Sequence, residues 1–119
     1  MSDLKKLTAL FYATLSGKEP AREWLLGLND GDRKIVGDDI RTAEFAWPIG
    51  MPLCKPMGSG LWEIRSDISD KRIARVLFSP IEGHMVLLHG FIKKAKKTPK
   101  PDLDLAVKRM KEAKNEKEK

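Results

Sequence analysis

The chain has few of the residues that signal a disulfide framework, a metal centre or a secreted protein. Its single cysteine, Cys54, cannot form an internal disulfide and excludes a cysteine-rich metal site. No apolar run approaches the ~20 residues that a membrane-spanning helix needs. The N-terminus also lacks the hydrophobic region of a signal peptide. These absences predict a soluble, cytoplasmic protein with no membrane association.

Several familiar catalytic motifs are also absent. The sequence contains no glycine-rich phosphate loop, dinucleotide fingerprint or nucleophile elbow. His84 and His89 are five residues apart on one predicted strand, so we expect them to face opposite sides of a sheet, where they could not share a metal ion. No other cluster of His, Cys, Asp and Glu has ligand spacing. The sequence therefore predicts no metal and no cofactor.

The positive charge is concentrated at the C-terminus. Residues 1–92 contain 12 Lys and Arg against 12 Asp and Glu, whereas residues 93–119 contain 11 against 5, which accounts for the whole net charge of +6. A neutral body with a basic end indicates a polyanionic partner, with nucleic acid as the first candidate. A solubilising tail is the alternative that charge alone leaves open.

Hydrophobic patterning predicts one α+β domain over residues 1–119. A first strand is predicted within residues 5–15, and two helices follow, a short one from Pro20 and a longer one from about Asp32 to Ala46. Residues 48–60 are rich in proline and glycine and are predicted to form a loop. The predicted element order is β-α-α-β-β-β-α.

The three central strands are predicted to form an antiparallel meander, because only short polar stretches separate them. A last helix carries an apolar stripe that can dock on the sheet, and its charged end is predicted to fray. The bounds of these elements are Leu61–Asp67, Arg72–Ser79 and His84–Ile92 for the strands, about Pro101 for the start of the helix, and residues 111–119 for the frayed tail.

Two arginines interrupt the apolar meander strands. A hairpin centred near Ser69 would place Glu63 opposite Arg75 and Arg65 opposite Ile73. A charge buried in a sheet needs a partner or a cleft. Two interpretations therefore remain open: a cross-strand Glu63–Arg75 pair with Arg65 exposed, or guanidinium groups on one face that bind phosphate.

A cluster of lysines directly follows the third meander strand. Lys93, Lys94, Lys96 and Lys97 lie within five positions and leave the sheet that carries the two arginines. As a charge run this is most often a solvated rim, but its position makes an anion-binding site a second interpretation. His89 lies beside the cluster and could exchange protons near neutral pH, although a hydrogen-bonded core histidine is the commoner role.

The chain resembles the HigB-like, phage-derived branch of the RelE/ParE toxin superfamily. The resemblance lies in four segments and extends, more loosely, to the N-terminal region. The segments are Leu61-Trp62-Glu63-Ile64-Arg65, Arg75-Val76-Leu77-Phe78, Leu87-Leu88-His89-Gly90-Phe91-Ile92-Lys93-Lys94, and Lys97-Thr98-Pro99 with Asp102-Leu103 and Ala106.

This resemblance implies an α+β fold in which an antiparallel sheet packs on two N-terminal helices and exposes a concave, basic cleft on its other face. It also implies the toxin of a type II toxin–antitoxin pair, acting as a metal-independent, ribosome-dependent endoribonuclease on mRNA. The implied partners are mRNA, the ribosome and a cognate antitoxin, often of helix-turn-helix type.

Carried over by position, the resemblance assigns roles to eight residues. The expected catalytic residues are Arg65 and Arg75 on phosphate, Lys93 and Lys96 as acid or charge stabiliser, and His89 as base. The expected RNA-binding residues are Lys94, Lys97 and Lys100.

The chain also departs from the family pattern. Phe78 stands where related sequences often have tyrosine, and Ala95 stands where threonine is common. The rival interpretations are a non-catalytic gyrase inhibitor, an antitoxin-binding member of the superfamily, and a basic RNA-binding module.

Overall fold

The computed structural model describes residues 4–93 and 97–118, which form three helices and one five-stranded sheet. No helix in these two ranges is long and apolar enough to cross a membrane. The elements in chain order are β1 Thr8–Phe11, α1 Pro20–Leu26, α2 Asp30–Ala46, β2 Cys54–Gly58, β3 Leu61–Ile68, β4 Arg72–Ile81, β5 His84–Lys93 and α3 Lys100–Glu118.

The sheet is mixed, with the strand order β1-β5-β4-β3-β2. The central meander is antiparallel as predicted, but β1 pairs in parallel with β5. The expectation of a purely antiparallel sheet was therefore wrong, because a local pattern does not reveal how a strand pairs with one far away along the chain. The α+β class and the three helices are as predicted.

A further strand, β2, lies in the stretch predicted to be a loop. It pairs with β3 at the edge of the sheet, with an irregular register between Pro56 and Gly58. An edge strand tolerates proline because one side of its backbone makes no ladder hydrogen bonds. The prediction of a loop over residues 48–60 was therefore wrong for Cys54–Gly58, which form an irregular edge strand despite their proline and glycine.

The two faces of the sheet carry different helices. Helices α1 and α2 cover one face, where Val36, Ile64, Val76 and Phe78 are buried. Helix α3 packs on the opposite face, where Leu77 and Leu88 are buried together with Ala106 and Met110 of the helix. The face expected to be an open cleft is therefore partly covered by α3.

Helix α3 is longer than predicted. Its backbone stays helical to Glu118, whereas fraying was expected from Lys111. Ala113 packs against the apolar cluster under the helix, and the remaining Lys and Glu residues are good helix formers. The helix therefore continues after its apolar stripe ends.

The hairpin between β3 and β4 turns one residue later than predicted. A 3₁₀ turn over Ser69–Lys71 joins the strands, and Arg65 lies opposite Arg75 while Glu63 lies opposite Leu77. The predicted pairing was wrong by two residues on one strand. Because a two-residue shift keeps side chains on the same face, the prediction that Arg65 and Arg75 share a face is confirmed.

A bulge in β5 changes the placement of the histidines. His89 pairs with Leu77 and Leu87 pairs with Phe78, so Leu88 is an extra residue in the strand. Because one extra residue in a strand reverses the alternation of side chains, His84 and His89 lie on the same face. The prediction that they face opposite sides was wrong. The five-residue spacing still separates the two by roughly 16 Å along the strand.

Asp32 fastens α2 to the turn between β3 and β4. Its Oδ1 accepts a hydrogen bond from the Ser69 backbone N–H at 3.0 Å, and its Oδ2 accepts from Ser69 Oγ at 2.9 Å and from Arg72 Nη2 at 2.8 Å. The carboxylate is also bound by Asn29, the N-cap residue of α2. The hydrogen bond from the Ser69 backbone, followed by those from the side chains and by the Arg72 charge, lowers the pKa of Asp32.

The lowered pKa of Asp32 gives a pH-dependent contribution to stability. The unfolded chain protonates this aspartate near its ordinary pKa, about 3.9, so the contribution is complete above that pH and is lost as the pH falls through the lower folded pKa. We expect Asp32→Asn to lower Tm most at neutral pH, with a difference from wild type that shrinks below about pH 4. Thermal melts from pH 3 to 7 measure this, with the exposed Asp38→Asn as control. A pH-independent difference would contradict the assignment.

Candidate functional site

The candidate site is formed by two rows of side chains that cross the sheet on the face where α3 packs. The first row is Arg65, Arg75 and Phe91, on β3, β4 and β5. The second, one pleat away, is Glu63, Leu77 and His89. Side chains directly opposite one another on neighbouring strands lie within contact distance. The sheet thus brings together two guanidinium groups, a carboxylate and an imidazole.

Glu63 links the two arginines. Its Oε1 lies 3.7 Å from Arg75 Nη1 and 3.9 Å from Arg65 Nε, and the residue is 0% exposed. A buried carboxylate is stable only with such partners, since an unpaired buried charge costs several kcal/mol. The predicted Glu63–Arg75 ion pair is present, although the two residues are not directly opposite. Glu63 is therefore the shared counter-ion of the two guanidinium groups.

The two arginines differ sharply in exposure. The side chain of Arg65 is 23% exposed, whereas that of Arg75 is 1% exposed. Thr98, just before α3, donates a hydrogen bond to Glu63 Oε2, and its hydroxyl lies 3.5 Å from Arg75 Nη1. Contact between Arg75 and an RNA phosphate would therefore require the Thr98 segment to move. A catalytic role for Arg75 stays a prediction, and Arg65 is the arginine that solvent reaches.

A cavity lies beside Arg65 at the edge of the sheet. It has a volume of about 350 Å³ and opens where β3 extends beyond its pairing with β2. Residues of α2, of the segment before β2 and of β3 form its walls. The lining residues are Ile35, Asp39, Pro52, Leu53, Arg65 and Asp67.

His89 is held by α3. Its Nε2 lies 2.7 Å from Asp102 Oδ1, and its ring stacks on Phe91 with centroids 5.5 Å apart and planes at 22°. The side chains of His89 and Asp102 are 17% and 26% exposed. The imidazole is therefore partly accessible and has a carboxylate partner, as a histidine that exchanges protons requires.

The lysine cluster is only partly described. Lys93 ends β5 opposite Ile73, while Lys94 and Lys96 lie outside the described residues, so their predicted roles stay predictions. Lys97 is exposed beside the site. Lys100 is 84% exposed and pairs with Asp104 at 2.9 Å. Lys97 and Lys100 can reach solvent, as an RNA-binding role requires.

Thr98 and Asp102 are site residues that sequence reasoning did not assign. They lie about one helical turn apart around the start of α3, and they contact Glu63 and His89, the two polar members of the second row. Both residues lie in the fourth segment that resembles the toxin superfamily, which was a sign of a functional role. The sequence did not indicate which side chain either of them contacts. Docking of α3 creates both contacts, and the sequence does not specify the register of that docking.

Cys54 is not a nucleophile at neutral pH. It is 0% exposed in the core under α2, and burial, with a smaller effect of the Asp39 charge, raises its pKa to about 11. The thiol is therefore protonated and packed. Within residues 4–93 and 97–118, no three His, Cys, Asp or Glu side chains come together to hold a metal ion.

Comparison with protein families finds a match over most of the chain. The family model described as "Phage derived protein Gp49-like (DUF891)" matches residues 23–111. The match covers about three quarters of the chain, from α1 into α3, and includes both rows of the candidate site. No curated protein matches the chain significantly.

Proposed function

Since the chain belongs to the phage-derived Gp49-like family, a toxin family of the RelE/ParE-like superfamily used in toxin–antitoxin systems, we propose that it cleaves mRNA on the ribosome and so blocks translation. Membership of this family implies a cognate antitoxin. We further propose that the chain is of the HigB-like branch, that its antitoxin carries a helix-turn-helix domain, and that cleavage needs no metal.

The observation that carries this proposal is the partly exposed side chain of Arg65, which lies on the same face of the sheet as His89. Arg65 forms an ion pair with the buried Glu63, with 3.9 Å between Arg65 Nε and Glu63 Oε1. A guanidinium group binds phosphate oxygens with two parallel hydrogen bonds. A preorganised cation of this kind stabilises the charge that develops on phosphorus during RNA cleavage. Arg65 is therefore assigned to the scissile phosphate.

The reaction needs only positioning, proton transfer and charge stabilisation. The ribose 2′-oxygen attacks the adjacent phosphorus, its proton passes to a base, and the departing 5′-oxygen receives a proton. His89 is assigned as the base because it combines partial exposure with a carboxylate partner. Lys93 and Lys96 are assigned as acid or charge stabiliser, and Lys94, Lys97 and Lys100 as contacts to the RNA backbone.

We expect Arg65→Ala to reduce mRNA cleavage roughly 100-fold, because removal of one preorganised charge-stabilising group typically costs that much. Primer extension on mRNA in a reconstituted translation reaction, with and without ribosomes, measures the cleavage. Arg41→Ala is the matched control, since it removes one exposed arginine from α2, away from the site. This control should cleave at the wild-type rate.

Three results would overturn parts of this proposal. Equal cleavage by Arg65→Ala and Arg41→Ala would remove the assigned role of Arg65. If mRNA is cleaved equally fast with and without ribosomes, the cleavage does not depend on the ribosome. Intact mRNA accompanied by DNA damage and arrested growth would replace RNA cleavage with gyrase inhibition.

A further inference from the structure

We infer that Asp102 is a positioning residue that orients His89 through Nε2 and so makes Nδ1 the atom that takes the proton from the 2′-hydroxyl. The inference rests on the proposed RNA cleavage and adds a residue and an atom to it. It also makes α3, which carries Asp102, a necessary part of the site.

The assignment of the two ring nitrogens follows from the hydrogen bond. Asp102 Oδ1, as a carboxylate, can only accept, so the neutral imidazole must donate from Nε2 across the 2.7 Å contact. Its lone pair is then on Nδ1, which has no hydrogen-bond partner among the described residues. Stacking against Phe91 restricts rotation of the ring. The base is thereby presented in one tautomer and one orientation.

Asp102 is itself held firmly in place. Ala106 and Met110 of α3 are buried against the sheet, and Arg109 Nη1 donates to the carbonyl of Leu88 at 2.8 Å. Leu88 directly precedes His89. The helix is therefore fastened to the same stretch of β5 that carries the imidazole, so the distance between Asp102 and His89 is set by packing.

The proton balance of the step is complete within these residues and the RNA. The 2′-O–H bond breaks as the 2′-oxygen bonds to phosphorus, and the proton moves to Nδ1. The resulting imidazolium is stabilised by the Asp102 carboxylate. The bond from phosphorus to the 5′-oxygen then breaks, and an acid such as Lys93 or Lys96 protonates that oxygen. The products are a 2′,3′-cyclic phosphate and a 5′-hydroxyl.

Other charged groups also surround the imidazole. Glu63 lies in the same row on β3, and Arg75 lies in the adjacent row on β4. Glu63 and Arg75 already bind one another, so Asp102 is the carboxylate in direct contact with His89. A change at Asp102 should therefore act on His89 without breaking the Glu63 cluster.

The test compares three variants on α3. Asp102→Asn removes the charge, Asp102→Glu keeps a carboxylate, and Asp104→Asn is the control, because Asp104 is 61% exposed and pairs with Lys100 on the helix surface. We expect Asp102→Asn to lower kcat roughly 10- to 100-fold with KM nearly unchanged. Asp102→Glu should recover part of the loss, and Asp104→Asn should retain the wild-type kcat.

NMR spectroscopy distinguishes two roles of Asp102: orienting the imidazole of His89, or only attaching α3 to the sheet. Nitrogen-15 NMR should show His89 protonated on Nε2, with the Nε2–H proton protected from exchange in wild type and in Asp104→Asn but not in Asp102→Asn. A His89→Ala variant is measured in the same cleavage assay. Support requires loss of cleavage in both His89→Ala and Asp102→Asn, together with loss of the protected proton in Asp102→Asn.

Failure of the inference differs from failure of the proposed function. If the wild-type protein cleaves RNA and either Asp102→Asn or His89→Ala cleaves it at the same rate as wild type, the inference is wrong and the proposed RNA cleavage is unaffected. A protected proton on Nδ1 would overturn the assigned atom. Absence of cleavage by the wild-type protein would overturn the proposed function itself and the inference with it.

Discussion

Replacing Glu63 by alanine is expected to destabilise the protein by roughly 3–5 kcal/mol, because breaking a buried charged cluster by removing one partner typically costs this much. Glu63 is 0% exposed, and its carboxylate contacts Arg65, Arg75 and the Thr98 hydroxyl. Alanine would take the carboxylate away from Arg75, which is itself 1% exposed. Urea unfolding followed by circular dichroism measures the loss.

Asp67→Ala is the matched control for this change. It removes a carboxylate from the same strand and the same face, but from an exposed position. Its effect should stay within about 0.5 kcal/mol, as for most surface substitutions. If Glu63→Ala and Asp67→Ala unfold at similar urea concentrations, the buried cluster does not contribute to stability as described.

Replacing Gly90 by alanine is expected to cost roughly 3 kcal/mol, at the upper end of the range for overpacking a core. A Cβ at this position would lie within 2.6 Å of Cδ2 and Cζ3 of the Trp24 ring. The ring is half-buried and packs against the core between α1 and the sheet, so it can move away from Gly90 only by displacing α1. The substitution should therefore push α1 away from β5, and urea unfolding measures the cost.

Gly37→Ala separates this steric effect from the general effect of adding a methyl group. Gly37 lies inside α2, where an added Cβ would meet no atom within 4 Å, and its φ is ordinary. Alanine there should stabilise the helix by about 0.5–1 kcal/mol. A neutral or stabilising Gly90→Ala would show that Trp24 does not pack on Gly90 as closely as the structure has it.

The elements with a regular hydrophobic period were predictable from the sequence. Val36, Ile40 and Ala43 recur at helical spacing, and all three are buried in α2. The alternation in β3 and β4 placed Arg65 and Arg75 on one face even though the predicted register was wrong. Side-chain period is a property of the chain itself, so it survives an error in the turn.

The contacts between distant segments were not predictable. The parallel pairing of β1 with β5, the extra residue Leu88 and the edge strand β2 all depend on backbone partners rather than on the local pattern. Arg75 contacts Thr98, and His89 contacts Asp102. Both contacts exist only after α3 docks.

By itself, the sequence determined the α+β class, the three helices, the meander and the shared face of the two arginines, because each follows from the spacing of apolar residues along the chain. Only the tertiary structure decided which arginine solvent reaches and which carboxylate holds His89. Exposure and hydrogen bonding are set by what packs on top of a residue, and here that is a helix that begins only after the last strand of the sheet has ended.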